Sequence, residues 1–383
     1  MENFREFLEQ KRVEKGFKKS HIGEHTGCNT VHVTRLLNGS REVHPKRAYK
    51  IIEFICDDVQ LSDEIFHDYS LTLRSPMNIR SAMEYAATRS KYNLLKLLIE
   101  KHECDRNAEL EEFCRVYKIL YKYYTDELGA EELYRVVKGE TSIKYGDAKI
   151  MIRLLECYSL LAQKHYDFLM FTASSLIDDI ELMEDPFFKR SYKVRYMEFM
   201  VFVKLRVQND IKTARHMMKE LIKTTDSEKH KAFGFNYLAL SYLFEEENYD
   251  KYMKYMGVAC KKYEKLGFGA NVIKHNIQFA QILHNKELTC DYENEEIKAF
   301  HLAVTGETEQ AINVINEYEA KHGKTAETVY FRAIATKEVN LYWESLSMFK
   351  SRGDKFLSRL SRNALIELGE NEIVVDLFFN QKN

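Results

Sequence analysis

Four polar side chains spaced along one short apolar run, Thr30, His32, Thr34 and Arg35, have the types and spacing needed to read base-pair edges. They lie in KKSHIGEHTGCNTVHVTRLLNG, residues 18–39, where Ile22-Gly23 is followed by Gly27 and then by Val31, Val33, Leu36 and Leu37. That pattern predicts a helix-turn-helix. Gly23 lets the second helix cross close to the first, and Gly27 supplies the positive φ of the turn. Asn29 caps the second helix by accepting from its free backbone N–H groups. With the four apolar residues turned inward, the polar ones face a major groove. Arg35 suits a bidentate guanine contact and Thr30 a thymine methyl or a phosphate, whereas His32 equally turns towards solvent. Lys18, Lys19, Arg41, Lys46 and Arg47 stand where such folds hold the sugar-phosphate backbone, contacts that set register without reading sequence.

Other elements must hold this motif in place. A first helix is expected from about Asn3 to Lys15, with Phe4, Phe7, Leu8 and Val13 packing on the motif and Gly16 ending it. Pro45 opens a fourth helix that buries Ala48, Ile51, Ile52 and Ile55. Residues 1–57 thus form one helix-turn-helix domain. The acidic run DDVQLSDEIFHD and the proline of LTLRSPMNIR mark residues 58–79 as a linker, and 80–383 as the remaining domain.

The chain has 383 residues and a formal net charge of −2, which excludes a wholly basic nucleic-acid coat. In the first fifty residues, however, Lys and Arg outnumber Asp and Glu, the local excess that phosphate contact requires. Cys28, Cys56, Cys104, Cys114, Cys157, Cys260 and Cys290 are scattered, with no metal-binding spacing, and read as reduced thiols. No secretion signal or membrane span is recognisable, so a cytoplasmic location is expected. Three prolines, Pro45, Pro76 and Pro186, leave room for long helices.

Beyond Pro76 the expectation is helix after helix, paired as degenerate tetratricopeptide-like hairpins in an all-α superhelix. Tyr237–Ala259, Gly306–Ile312 and Asn209–Ala214 carry the polar turn and the small residue that lets two helices approach. Leu240 and Tyr252 stand where the repeat prefers smaller residues, which predicts splayed hairpins. Helices over 147–166, 187–206 and 326–350 fit the same pairing. Phosphate-loop, dinucleotide-binding, HExxH and nucleophile-elbow motifs are missing, so binding is favoured over catalysis, and no cofactor or metal is expected. His216 and His230 read as solvated or core-edge residues. Asn236 and Asn276 suit an inner face that grips an extended peptide backbone, or equally an exposed outer face. Arg80 and Asp354 could meet a peptide carboxylate and a peptide cation, or form surface ion pairs.

The stretches RSAMEYA (80–86), FCRVYKIL (113–120), FFKRSYKVRY (187–196) and RGDKFLSRLSRNALIELG (352–369) resemble the arbitrium receptors of temperate Bacillus phages, over about residues 76 to 383. The resemblance implies a homodimeric regulator that binds a double-stranded operator. Without ligand such a protein activates a transcript favouring lysis; a short imported phage peptide lowers that activity and favours lysogeny. It also implies that Arg80, Asn276 in KHNIQFA and Asp354 in RGDKF lie at or near the peptide pocket. Arg206 and Ser241 stand where asparagine is expected in relatives, and Glu296 where glutamine is expected, implying a different peptide. The C-terminal LSRNALIELGENEIVVDLFF offers Leu360, Leu365, Ile366, Val374, Val375, Leu377 and Phe378 as part of a dimer interface, or as a capping helix. Two alternatives remain: a host quorum-sensing transcription factor of the same architecture, and a repeat-domain adaptor that sequesters a protein partner.

Overall fold

Helix-favouring composition and sparse proline give helix in every regular element of residues 4–380, the part of the computed structural model that is described. In chain order these are α1 (Phe4–Glu14), α2 (Lys19–Thr26), α3 (Thr30–Asn38), α4 (Pro45–Cys56), α5 (Val59–Leu71), α6 (Pro76–Thr88), α7 (Tyr92–His102) and α8 (Ala108–Tyr124). They continue as α9 (Ala130–Gly139), α10 (Gly146–Ala162), α11 (Tyr166–Ser174), α12 (Leu176–Glu181), α13 (Pro186–Phe202), α14 (Ile211–Thr224), α15 (Glu228–Leu240) and α16 (Tyr249–Leu266). The last are α17 (Ala270–Leu283), α18 (Glu295–Thr305), α19 (Thr308–His322), α20 (Ala326–Thr336), α21 (Val339–Ser351), α22 (Arg359–Glu367) and α23 (Glu372–Asn380). The helices gather into two compact units, one running to Glu156 and taking in Asp178–Tyr192, the other holding Cys157–Ile177 and the chain from Lys193.

In the first unit α1 to α4 follow the expected order, with Asn3 lying outside the described residues. Phe4 and Leu8, one helical turn apart, are buried, whereas Val13 is 61% exposed. Five residues beyond Leu8, Val13 falls about 140° round the helix and off the buried face. The stretch 58–79, expected as a linker, instead contains α5 and the start of α6. Ile65, Phe66 and Tyr69 recur at helical spacing and are buried, and Phe66 packs edge-on to Tyr49 of α4. Asp58 caps α5 by accepting from Leu61 N–H at 2.7 Å, so part of the acidic run does capping work. The Tyr69 hydroxyl bonds both the N–H and the carbonyl of Val43, and Tyr49 reaches Asp63 at 3.2 Å. The head therefore docks on α5 and α6 rather than hanging from a flexible joint.

In the second unit successive helices pack as hairpins: α14 with α15, α15 with α16, α18 with α19 and α20 with α21. Ala214, Ala239, Ala259 and Ala311 are wholly buried where helices approach. The α15–α16 pair is closely packed in spite of Leu240 and Tyr252, because Tyr252 turns inward and its hydroxyl donates to the Asn276 carbonyl at 2.7 Å. Residues 326–350 form two helices, broken at Lys337, whose φ of 59° ends α20. After α13 the chain makes a π-helical turn, Val203–Val207, which carries Arg206.

Candidate functional site

The head is built by local bonds. A Cβ at Gly23 would stand 2.8 Å from the Cys28 carbonyl oxygen and 3.3 Å from Thr30 N, so the turn closes only over glycine. Gly27, at φ 64°, ends α2, and Asn29 Oδ1 accepts from Val31 N–H at 2.9 Å to start α3. Val33, Leu36 and Leu37 are buried, as expected. Val31 is not: it lies two residues before Val33, on the opposite side of α3, and is 48% exposed. It joins Thr30, Thr34 and Arg35 on the outer face, an apolar member that the sequence reading turned inward; its spacing of three and four residues from Thr34 and Arg35 is the signal that places it there.

His32 is tied down. Its Nε2 lies 3.1 Å from Arg47 Nη1, so the ring nitrogen accepts and the guanidinium donates. Burial, then the nearby Arg47 and Arg35, push the imidazolium form to lower pH, which keeps His32 neutral and able to accept. Lys18 and Lys19 stand at the start of α2, Lys46 and Arg47 in the first turn of α4, and Arg41 is exposed in the loop between α3 and α4.

The second unit holds five of the six residues expected to line a ligand pocket. Arg206 forms a bidentate pair with Asp354, its Nε lying 3.0 and 3.1 Å from the two oxygens and its Nη2 closer still to Oδ2. Asp354 is wholly buried and also accepts from Leu357 N–H at 3.1 Å and Arg352 Nη2 at 3.3 Å. Arg352 in turn holds Glu327 through bonds of 3.0 and 2.5 Å. Asn276 Nδ2 donates to Asn236 Oδ1 at 3.2 Å, so these two amides meet between α15 and α17. Glu296, in the first turn of α18, is half-buried; burial, then Glu327, raise its carboxyl to about 7. Ser241 is buried and bonded to Arg215 at 2.9 Å, away from the ligand-facing role of an exposed amide. A cavity of about 470 Å³ runs beside Arg352, bordered by Lys164, Tyr166, Thr325 and Met348.

Arg80 belongs to the first unit and has other neighbours. It pairs with Glu109, stands 3.9 Å from Asp147, and lies over the rings of Phe113 and Phe188 at 5.4 and 5.7 Å. A cavity of about 840 Å³ adjoins it. His216 is exposed, and His230 is buried with Nε2 3.7 Å from Glu198.

The seven residues offered for a dimer interface divide, and Leu360 is buried in the unit's own core. Leu365 and Val375 are buried in the unit's own core, and Ile366 and Phe378 are packed against it, with Phe378 edge-on to Trp343. Val374 and Leu377 point outward, joined by Ile373, at 53%, 69% and 71% exposure. Alternation of these residues around α23 gives it one core face and one free apolar face.

Comparison with known proteins supplies a family. The profile described as AimR transcriptional regulator-like matches residues 62–367. The AimR transcriptional regulator of Bacillus phage SPbeta is 23% identical over 371 residues, covering 92% of this chain and 89% of its own. Among solved structures, that of selenomethionine phAimR is similar with a TM-score of 0.71 at 18% identity, covering 98% of this chain and 100% of that one. The phAimR-Ligand structure gives 0.72 at 20% identity, covering 84% and 96%. These matches bear out the arbitrium-receptor resemblance and the all-α class of helix-turn-helix followed by tetratricopeptide-like helices.

Proposed function

The chain belongs to the AimR-like family of transcriptional regulators, and on that premise we propose that it reads an operator through α3 and answers to a short peptide held in its second unit. The observation that carries this reading is the outer face of α3, where Thr30, Val31, Thr34 and Arg35 stand at helical spacing behind a fully formed cap. Arg35 takes a guanine edge, Val31 a thymine methyl, and His32 orients Arg47 towards phosphate. Lys18, Lys19, Arg41 and Lys46 hold the backbone on either side. On the free face of α23, Val374 and Leu377 are the part of the expected dimer surface that remains available, with Ile373 exposed beside them, and two heads demand a two-fold symmetric site.

In this reading the peptide enters among Asn236, Asn276 and Glu296, and favours one arrangement of the hairpins over another. A ligand shifts such an equilibrium by the difference in its affinity for the two arrangements. The protein works in the host bacterial cytoplasm, and the process it serves is the choice between lysis and lysogeny of a phage. Among the described residues no helix is long and apolar enough to cross a membrane.

Selection of duplexes from a random DNA pool tests the head. The wild-type chain should enrich one palindromic motif, and Arg35→Ala should bind that motif about tenfold or more weakly, given the worth of a bidentate base contact. Failure to enrich any motif would remove DNA reading and leave the adaptor reading in its place.

A further inference from the structure

The turn that joins α3 to α4 is held from outside the head at three successive residues, each by a different helix. Glu42 accepts from the backbone N–H groups of Arg74 and Ser75 at 2.6 and 3.1 Å, where α6 begins. Val43 N–H donates to the Tyr69 hydroxyl of α5, which in turn donates to the Val43 carbonyl. His44 sets its ring edge-on to Phe187 of α13, with centroids 4.9 Å apart and planes at 71°. The first two contacts fix the path of the chain. The third acts on a side chain that starts a helix.

His44 is the cap of α4: its Nδ1 accepts from Lys46 N–H at 3.3 Å. An accepting Nδ1 puts the ring proton on Nε2, and burial favours that neutral ring against the pull of Asp185. Pro45 has no N–H to offer, so Lys46 is the first residue that the cap can hold. The bond is long, and the imidazole turns away from it unless something stops the ring. Phe187 is what stops it, and Phe187 is itself fixed. Asp185 Oδ1 accepts from the N–H groups of Phe187 and Phe188 at 2.8 and 3.0 Å to start α13. Phe188, which touches Phe187 edge-on, is wholly buried against Phe113 and Tyr192.

We propose that Phe187 is a positioning residue for DNA contact: through His44 it holds the first turn of α4 so that Lys46 and Arg47 meet the sugar-phosphate backbone. This rests on α3 and α4 being the DNA-contacting part, as argued above. An edge-to-face pair is directional, so the imidazole has one seat. With that seat filled, the turn is ordered and Arg47 reaches His32 at 3.1 Å, which ties the backbone-holding helix to the reading one. Without it the first turn frays and its two cations scatter. Thr30, Val31, Thr34 and Arg35 keep their places, because the Asn29 cap of α3 is local. The effect therefore falls on backbone contact and not on base choice.

The test is the salt dependence of duplex affinity, measured with the full-length protein on the motif enriched from the random pool and on a mixed-sequence duplex of equal length. Each phosphate contact contributes about 0.9 to the slope of log affinity against log salt. Phe187→Ala should make the slope shallower by about 1.8 per head as Lys46 and Arg47 both let go, while the preference for the motif holds. His44→Asn should do the same, since asparagine caps as well but offers no ring to Phe187. The double variant should be no shallower than either single one, because both remove one contact. Phe187→Tyr keeps the ring and should keep the wild-type slope. Thermal melting checks that each variant folds, and if Phe187→Ala does not, His44→Asn decides alone. A lowered melting temperature with an unchanged slope makes the contact mere packing and overturns the proposal, as do a wild-type slope in His44→Asn or losses that add in the double variant. Absence of duplex binding by the wild-type chain overturns DNA reading, and this assignment with it.

Discussion

The recognition head and the charged cluster of the second unit are held by bonds of different reach. In the head the decisive bonds join near neighbours: Asn29 caps Val31 two residues on, and Gly23 meets the backbone of Cys28 and Thr30. In the cluster they join distant ones: Arg206 and Asp354 are 148 residues apart, Asn276 and Asn236 40, and Arg352 and Glu327 25. The lesson is that the head is specified by its own twenty residues, whereas the cluster exists only once the hairpins have packed. A defect in one should stay local, and a defect in the other should spread.

The sharpest test of that contrast is Arg206→Ala. It leaves a wholly buried Asp354 with only Arg352 and one backbone N–H, and removing one partner of a buried pair costs about 3–5 kcal/mol. Urea unfolding of the full chain should show a loss of that size. Combining Arg206→Met with Asp354→Leu should restore most of it, because no charge is then left buried without its partner. A small loss for the single change would mean that Asp354 reaches water and that the cluster is no clamp.

A smaller effect, on the comparison's other side, is expected from Glu42→Ala. Glu42, in the loop after α3, accepts from Arg74 N–H at 2.6 Å, from Ser75 N–H at 3.1 Å and from Asn78 Nδ2 at 2.9 Å, so it closes the start of α6 from across the head. Charge-assisted bonds of this kind are worth about 1.5–3 kcal/mol in all when the donors are left partly buried. Hydrogen exchange at Arg74 and Ser75 should quicken while α2 and α3 keep their protection. If α2 and α3 lose protection too, the head is not the self-contained element that its local bonds describe.

What the sequence disclosed follows the same division. Gly23, Gly27, Asn29 and Pro45 were legible because each does its work within a few residues of itself. Asp354 was legible as a charge beside an apolar run, but its partner was not, since nothing local marks Arg206 as the group that neutralises it. In this structure Asp354 is buried in an internal pair with Arg206. Two local signals prevail over composition: the helical spacing of Ile65, Phe66 and Tyr69 makes a helix of the acidic stretch in 58–79, and Val31, apolar like the core residues, lies opposite to Val33. Arg80, which the resemblance places with Asn276 and Asp354 near the peptide pocket, pairs with Glu109 within the first unit. In α23, apolar content alone did not separate the residues that the core takes, such as Val375, from those it leaves outside.

The smallest expected effect is that of Asn29→Ala, and it probes the local side of the contrast most directly. The side chain makes one capping bond at the start of α3, to an N–H that is otherwise exposed to solvent, and losing such a cap costs about 1 kcal/mol. Water can replace the lost acceptor, so the penalty is mostly the fraying of the first turn. That turn carries Thr30 and Val31, so duplex binding should weaken by more than the change in overall unfolding would suggest, about fivefold if the whole 1 kcal/mol falls on the bound conformation. Asn29→Asp should keep the stability, since a carboxylate caps as well and sits favourably at the positive end of the helix, while its negative charge beside the phosphates should lower duplex affinity. Measured side by side, unfolding and duplex affinity separate the two roles: equal losses in both would make the cap a piece of general scaffolding, while a larger loss in affinity would show that α3 is ordered for contact by a single residue of the turn before it.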